Sequence, residues 1–214
     1  MLKLTGIYCA GNQNDFTSED PIQNDANIRK YGCGLIGLAD ILLYLGADPG
    51  NTYPDFVRLL DRAFVRVHGM LGINGLNLAH GFNSYAKLHD ISFSAHWGIA
   101  DEDFLPAVRF MLKNNIPVIL SVGPNMNPGE KMPGVPVYGD IEKTRPQGAR
   151  ICDHYVTVTG IAEADGKTML KFFSWGKEYY MDFKDYLSYR KNQPPVLGSM
   201  ASNILCVRPL NRQL

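Results

Sequence analysis

Between Gly34 and Leu45 apolar side chains occupy nearly every angle of a helical projection, with Asp40 the single charge, and Gly46 follows where a helix-terminating glycine belongs. A helix that is apolar all round is a buried one, so this segment is predicted to be the central helix of the fold. Two amphipathic stretches come next. From about Pro54 to Val67, Phe56, Leu59, Leu60 and Phe64 share a stripe, and a second helical pattern runs from about Leu76 to Leu88. Ile91 to Trp97 alternates as a strand does. Asp103 to Lys113 returns to helical spacing through Phe104, Val108, Met111 and Leu112, and Pro117 to Val122 is a short apolar run of strand character.

The last third of the chain has a different rhythm. Tyr155 to Ile161 alternates with β-branched residues, Asp165-Gly166 supplies a two-residue hairpin turn, and Met169 to Trp175 and Glu178 to Met181 continue the pattern. That predicts an antiparallel meander, followed by a short helix over Phe183 to Tyr189 and a closing strand over Asn203 to Val207. Two segments lack periodicity. The first 30 residues are polar and turn-rich and read as an irregular arm. Gly123 to Arg150 carries five prolines and five glycines, including Pro128-Gly129 and Pro133-Gly134, and reads as a long loop. Helices first and strands after predict an α+β fold of two lobes, helical over about 1–115 and sheet over about 116–214. At 214 residues these belong to a single domain spanning 1–214.

Composition narrows the function classes. Lysine plus arginine number 21 and aspartate plus glutamate number 21, so no net positive field draws nucleic acid or anionic membrane. The greasiest run, Leu35 to Leu45, is about half the ~20 residues a membrane crossing needs. Met1 to Asn12 lack the basic and apolar regions of a secretion signal, which makes the cytoplasm the expected location. Four cysteines, at 9, 33, 152 and 206, are dispersed and form no disulfide framework, so each is read as an individual thiol.

Of these thiols Cys33 stands out, because it opens the buried helix, where unpaired N–H groups and aligned peptide dipoles favour an anion and lower a thiol's pKa. Gly32 and Gly34 flank it, and the absence of side-chain bulk there is expected to let a substrate approach the sulfur. A nucleophilic thiol needs a base, usually an imidazole from elsewhere in the chain. Of the five histidines, His154 opens the apolar strand and is held on a rigid element, whereas His68, His80, His89 and His96 sit in polar or strand-end contexts.

Gly32-Cys33-Gly34 opening an apolar helix, then Asp153-His154-Tyr155-Val156-Thr157-Val158 opening a strand, then Ser174-Trp175-Gly176, resembles the papain-like cysteine peptidase superfamily in motif order and approximate spacing. Within it the chain looks like the bacterial peptidases related to the double-glycine leader peptidases of bacteriocin exporters. The resemblance implies a papain-like two-lobed fold, Cys33 as nucleophile, His154 as general base, a peptide or protein substrate and no cofactor. It also implies an amide donor for the oxyanion six residues before the nucleophile, where this chain has Asn27 in place of glutamine. The asparagine that orients the histidine in that superfamily is here Phe173, which accepts no hydrogen bond. Ser174 is a substitute only in part. If Asp165-Gly166 is a plain turn with no bulge, strand parity puts Phe173 and Trp175 on the face of His154 and Ser174 on the other. Asp153, adjacent to His154 in a strand, points away from it by the same rule.

Other readings fall short or stay open. Gly32-x-Gly34-x-x-Gly37 matches a dinucleotide fingerprint, but Asp25 to Tyr31 is not the apolar strand that fingerprint requires. Cys152-x-His154 has no second pair to complete a metal site. No Gly-x-Ser-x-Gly elbow is present. A cysteine and a histidine so arranged also serve amide hydrolysis, acyl transfer and deamidation, all through one thioester, and the same fold serves as a non-catalytic peptide-binding module. The Gly123 to Arg150 loop is predicted to border the cleft and limit what enters.

Overall fold

The computed structural model describes residues 1–8, 10–50, 52–69, 72–126, 134–142, 146–164 and 166–210. An arm containing strand β1 (Leu2–Lys3) leads into helix α1 (Asp25–Tyr31) and then the central helix α2 (Cys33–Tyr44). Leu35, Leu38, Ala39, Ile41 and Leu42 of α2 are all fully buried, as its all-round apolar character requires. Helix α3 (Tyr53–Ala63) and helix α4 (Gly75–Leu88) pack against α2, their starts capped by Thr52 and Asn74 side chains that accept N–H bonds from Asp55 and Asn77. After strand β2 (Phe93–Trp97) and helix α5 (Phe104–Lys113) the chain enters the main sheet.

That sheet comprises β3 (Val118–Val122), β4 (Val135–Tyr138), β5 (Pro146–Ile151), β6 (His154–Ala164), β7 (Lys167–Ser174) and β8 (Lys177–Asp182), joined by β1. All its pairings are antiparallel, in the order β1-β6-β7-β8-β4-β5, with β3 also on β6. Helices α6 (Phe183–Lys191) and α7 (Pro195–Ala201) follow, and β9 (Leu205–Pro209) returns. The fold is mixed α+β with an antiparallel sheet. One side chain network joins its parts: the hydroxyls of Tyr186 and Tyr189 on α6 donate to the carbonyls of Ser121 and Gly123 at the end of β3.

Three expectations change. The long loop after Gly123 contains two strands, β4 and β5, because Val135 and Val137 are buried and the hairpin adds to the sheet beside β8. Residues 127–133 and 143–145 of that segment, with Pro128-Gly129 and Pro133 among them, lie outside the described residues. The closing strand β9 pairs with β2 from the first half of the chain, Ala95 against Val207, so helices and strands are not fully segregated along the sequence. The polar arm, finally, includes α1, which ends on Gly32. Its buried Ile28 is the one apolar anchor in Asp25 to Tyr31 beyond the partly buried Tyr31.

The meander is present, with one irregularity. Strands β6 and β7 run in step from Ala164 opposite Lys167 to Gly160 opposite Lys171. Val158 then faces Phe172 and Thr157 faces Phe173, so Thr159 is left over as a bulge. It sits where the other edge of β6 changes partner, from Val118 on β3 opposite Val158 to Lys3 on β1 opposite Gly160. Gly166 adopts φ +71° in the turn, and Asp165 beside it lies outside the described residues.

Candidate active site

Cys33 is the first residue of α2 and, as a whole residue, is partly exposed. The Tyr155 main-chain N–H donates to Sγ at 3.4 Å, and the N–H groups of Gly34 and of Cys33 itself also face the sulfur. These donors favour a thiolate, as a helix start should. Burial outweighs them and pushes the Cys33 thiol above its ordinary value, with Asp153 adding to the rise. The sequence-based expectation of a lowered pKa is therefore reversed: the donors are there, but the sulfur lies under the Tyr155 backbone, away from bulk water.

The glycines beside Cys33 also serve close packing. A Cβ on Gly32 would stand 2.4 Å from the Ile28 carbonyl oxygen, and one on Gly34 would stand 3.1 Å from the Tyr155 ring. Their bareness lets α1 turn directly into α2 and lets α2 lie close against β6.

His154 begins β6, opposite Val122 of β3, and is 8% exposed. Its Nε2 lies 2.6 Å from Ser174 Oγ. The bulge at Thr159 is what allows this. Without it, the register set at the hairpin would put Ser174 across from Thr157; with it, Phe173 takes that place and Ser174 moves to the face of His154. Strand parity would turn Ser174 away from His154 only along an unbroken ladder, and the bulge reverses that expectation. The Trp175 indole stacks on the imidazole at 4.4 Å and 11°. Trp175 and Gly176, at φ +49° and +69°, form the two-residue turn between β7 and β8, and that conformation aims the indole at the ring. Burial lowers the His154 pKa to about 4, so the imidazole is neutral at ordinary pH.

Cys33, His154 and Ser174 line one small cavity of about 20 Å³, room for a single water, together with Asp40, Phe173 and Trp175. Ala10, Gly11 and Gln13 of the N-terminal arm close it. Asn27 does not line it: on α1, its amide donates to Asn24 Oδ1 at 2.7 Å. Gln13 is the side-chain amide at this cavity that sequence reasoning missed. It lies 20 residues before Cys33, in a stretch with no periodicity, and only the path of the arm brings it near. The one local signal is Asn12, whose side chain accepts from Asn14 N–H and starts the short turn Gln13–Asp15. Gln13 Nε2 donates to the Arg29 carbonyl at 2.9 Å, which uses one of its two amide hydrogens.

On its other side His154 opens onto a groove of about 410 Å³. Leu76 of α4, Trp97 of β2 and Leu197 and Met200 of α7 form apolar walls, with Tyr155 beside the histidine and Asp153 the one charged side chain among the described residues that line it. Asp153 thus lines the groove, and the hydrogen bond to the His154 ring comes from Ser174. Pro124 and Met126, at the start of the predicted loop, line the same groove.

Among the described residues no group of three or more His, Cys, Asp or Glu side chains is placed to hold a metal ion, and no helix is long and apolar enough to cross a membrane. The chain matches no family model and no curated protein.

Proposed function

We propose that the protein is a cysteine-dependent peptidase or amide hydrolase of the papain-like type, with Cys33 as nucleophile, His154 as base and Ser174 orienting the base. The observation that carries this reading is the meeting of a helix-start cysteine and a buried, hydrogen-bonded histidine in one cavity. The groove beside His154, largely apolar among its described residues, supports a peptide substrate that presents a large apolar side chain next to the scissile bond.

With Nε2 given to Ser174, Nδ1 of His154 is the nitrogen left to take the thiol proton. Sγ attacks the carbonyl carbon as that proton moves, and the carbonyl π pair passes to oxygen. The Cys33 N–H and the second amide hydrogen of Gln13 are the donors to this oxyanion. Collapse breaks the C–N bond, His154 returns the proton to the leaving amine, and the thioester left on Cys33 is hydrolysed by water with His154 again as base. A raised thiol and a lowered imidazole mean that the ion pair forms during attack rather than before it.

p-Nitrophenyl acetate tests this without knowledge of the substrate. A burst of p-nitrophenolate with an acetyl group on Cys33, located by mass spectrometry, is expected. Cys33→Ala should abolish the burst and His154→Ala should slow it. An undiminished burst in Cys33→Ala, or none in the native protein, would return the chain to the class of non-catalytic binding modules.

A further inference from the structure

Asp40 is the single charge on the central helix, two turns beyond Cys33, and is 4% exposed. A buried carboxylate on an otherwise apolar helix is costly unless its oxygens are filled, and here they are. Tyr8 Oη donates to Oδ2 at 2.8 Å, Tyr53 Oη donates to Oδ1 at 2.7 Å, and Gly11 N–H is shared between both oxygens at 3.1 Å. Two of these donors belong to the N-terminal arm. The third comes from α3, and the Tyr53 hydroxyl occupies the space a side chain on residue 11 would need, 1.8 Å from a Cβ built on Gly11. The arm is thereby fixed at Tyr8 and Gly11, immediately before Gln13, and all of Gly11, Gln13, Asp40 and Cys33 border the same water-sized cavity.

We infer that Asp40 is a positioning residue for the reaction proposed above, holding the arm so that the Gln13 amide is seated beside Cys33. The inference rests on that reaction but asks a separate question of it. Asp40 makes its hydrogen bonds to Tyr8, Gly11 and Tyr53 and none to the sulfur or the imidazole. Its effect passes through the arm, so it should alter steps that need an oxyanion donor and spare those that need only the thiol.

Two reagents separate these steps. Acylation of Cys33 by p-nitrophenyl acetate develops an oxyanion, whereas alkylation by iodoacetamide displaces iodide from carbon and develops none. Asp40→Asn is expected to slow acylation at least tenfold, leave alkylation within twofold of native, and speed hydrogen exchange at the Gly11 amide. In a Gln13→Ala background the same substitution should change acylation by less than twofold, because the donor it positions is already gone. Tyr8→Phe, which cuts the tether from the arm's side, should give the same pattern in milder form and serves if Asp40→Asn does not fold. Equal loss of acylation and alkylation would reduce Asp40 to a fold-holding role and overturn the inference. So would native acylation rates in an arm whose exchange has quickened, or additive losses in the Gln13→Ala background. Failure of the native protein to form the acyl-enzyme would instead remove the reaction on which the inference rests.

Discussion

Ser174 reaches the ring of His154, with Oγ 2.6 Å from Nε2, because a single residue, Thr159, is left out of the ladder between β6 and β7. The bulge converts a serine that strand parity would face away into the group that fixes the imidazole's rotation. In the reaction proposed above this hydrogen bond would hold an imidazolium, and such a bond is worth more than a neutral one, roughly 1.5–3 kcal/mol. Ser174→Ala is therefore expected to lower kcat by about tenfold or more with little change in KM, while Cys33→Ala abolishes turnover. Native kcat in Ser174→Ala would show that the stacked Trp175 orients the ring unaided.

Much of this site can be read along the chain. The buried helix follows from apolar residues at every angle, Cys33 from its place at that helix's start, and His154 from its place at the head of an alternating strand. The bulge cannot be read so, since it arises where β6 exchanges β3 for β1 along one edge, a fact about neighbours distant in sequence. Gln13 is hidden for a related reason: an irregular arm has no period, and its endpoint depends on the tether at Asp40. The direction of the Cys33 shift was missed because a helix start is a local feature and burial is not. β4 and β5 are hidden by prolines and glycines that read as turns, although Gly134, Gly139 and Pro146 stand at the strand ends and Pro136 and Gly148 within the strands.

The Trp175 conformation makes its own prediction. A tryptophan at φ +49° occupies a region that side chains other than glycine, asparagine and aspartate seldom adopt, and in return it covers His154. Trp175→Gly keeps the turn, since glycine accepts that φ readily, and uncovers the imidazole. The His154 pKa, about 4 in the native protein, should then rise toward its ordinary 6.5. Titration of the ring resonances by NMR measures it, and an unmoved pKa would assign the burial to other neighbours.

The glycines flanking Cys33 separate packing from access. Gly32→Ala sets a methyl 2.4 Å from a carbonyl oxygen that α1 cannot easily withdraw, and a loss of about 2 kcal/mol in unfolding free energy is expected. Gly34→Ala meets the Tyr155 ring at 3.1 Å, an edge that can shift slightly, and should cost less. Chemical denaturation of both variants tests the order, and equal stability to native would restore the view that these glycines serve substrate approach alone.

Acid should act on two of the buried ionisable groups, His154 and Asp40, in opposite directions. His154 takes up its proton near 6.5 when unfolded but only at about 4 when folded, so the unfolded chain binds more protons between these values and stability falls as pH drops through that window. Asp40 is the reverse: burial raises it from 3.8 to about 6, so the folded protein binds the proton first and stability rises as pH drops from about 6 to 3.8. Each effect amounts to about 3 kcal/mol at most, since a pKa unit is worth about 1.4 kcal/mol. In the native protein they largely cancel. The variants unmask them: between pH near 7 and pH near 4, His154→Gln should gain stability relative to native, and Asp40→Asn should lose it. Urea denaturation at the two pH values reads both differences, and two variants that follow the native profile would mean that neither group holds its proton as the buried geometry requires.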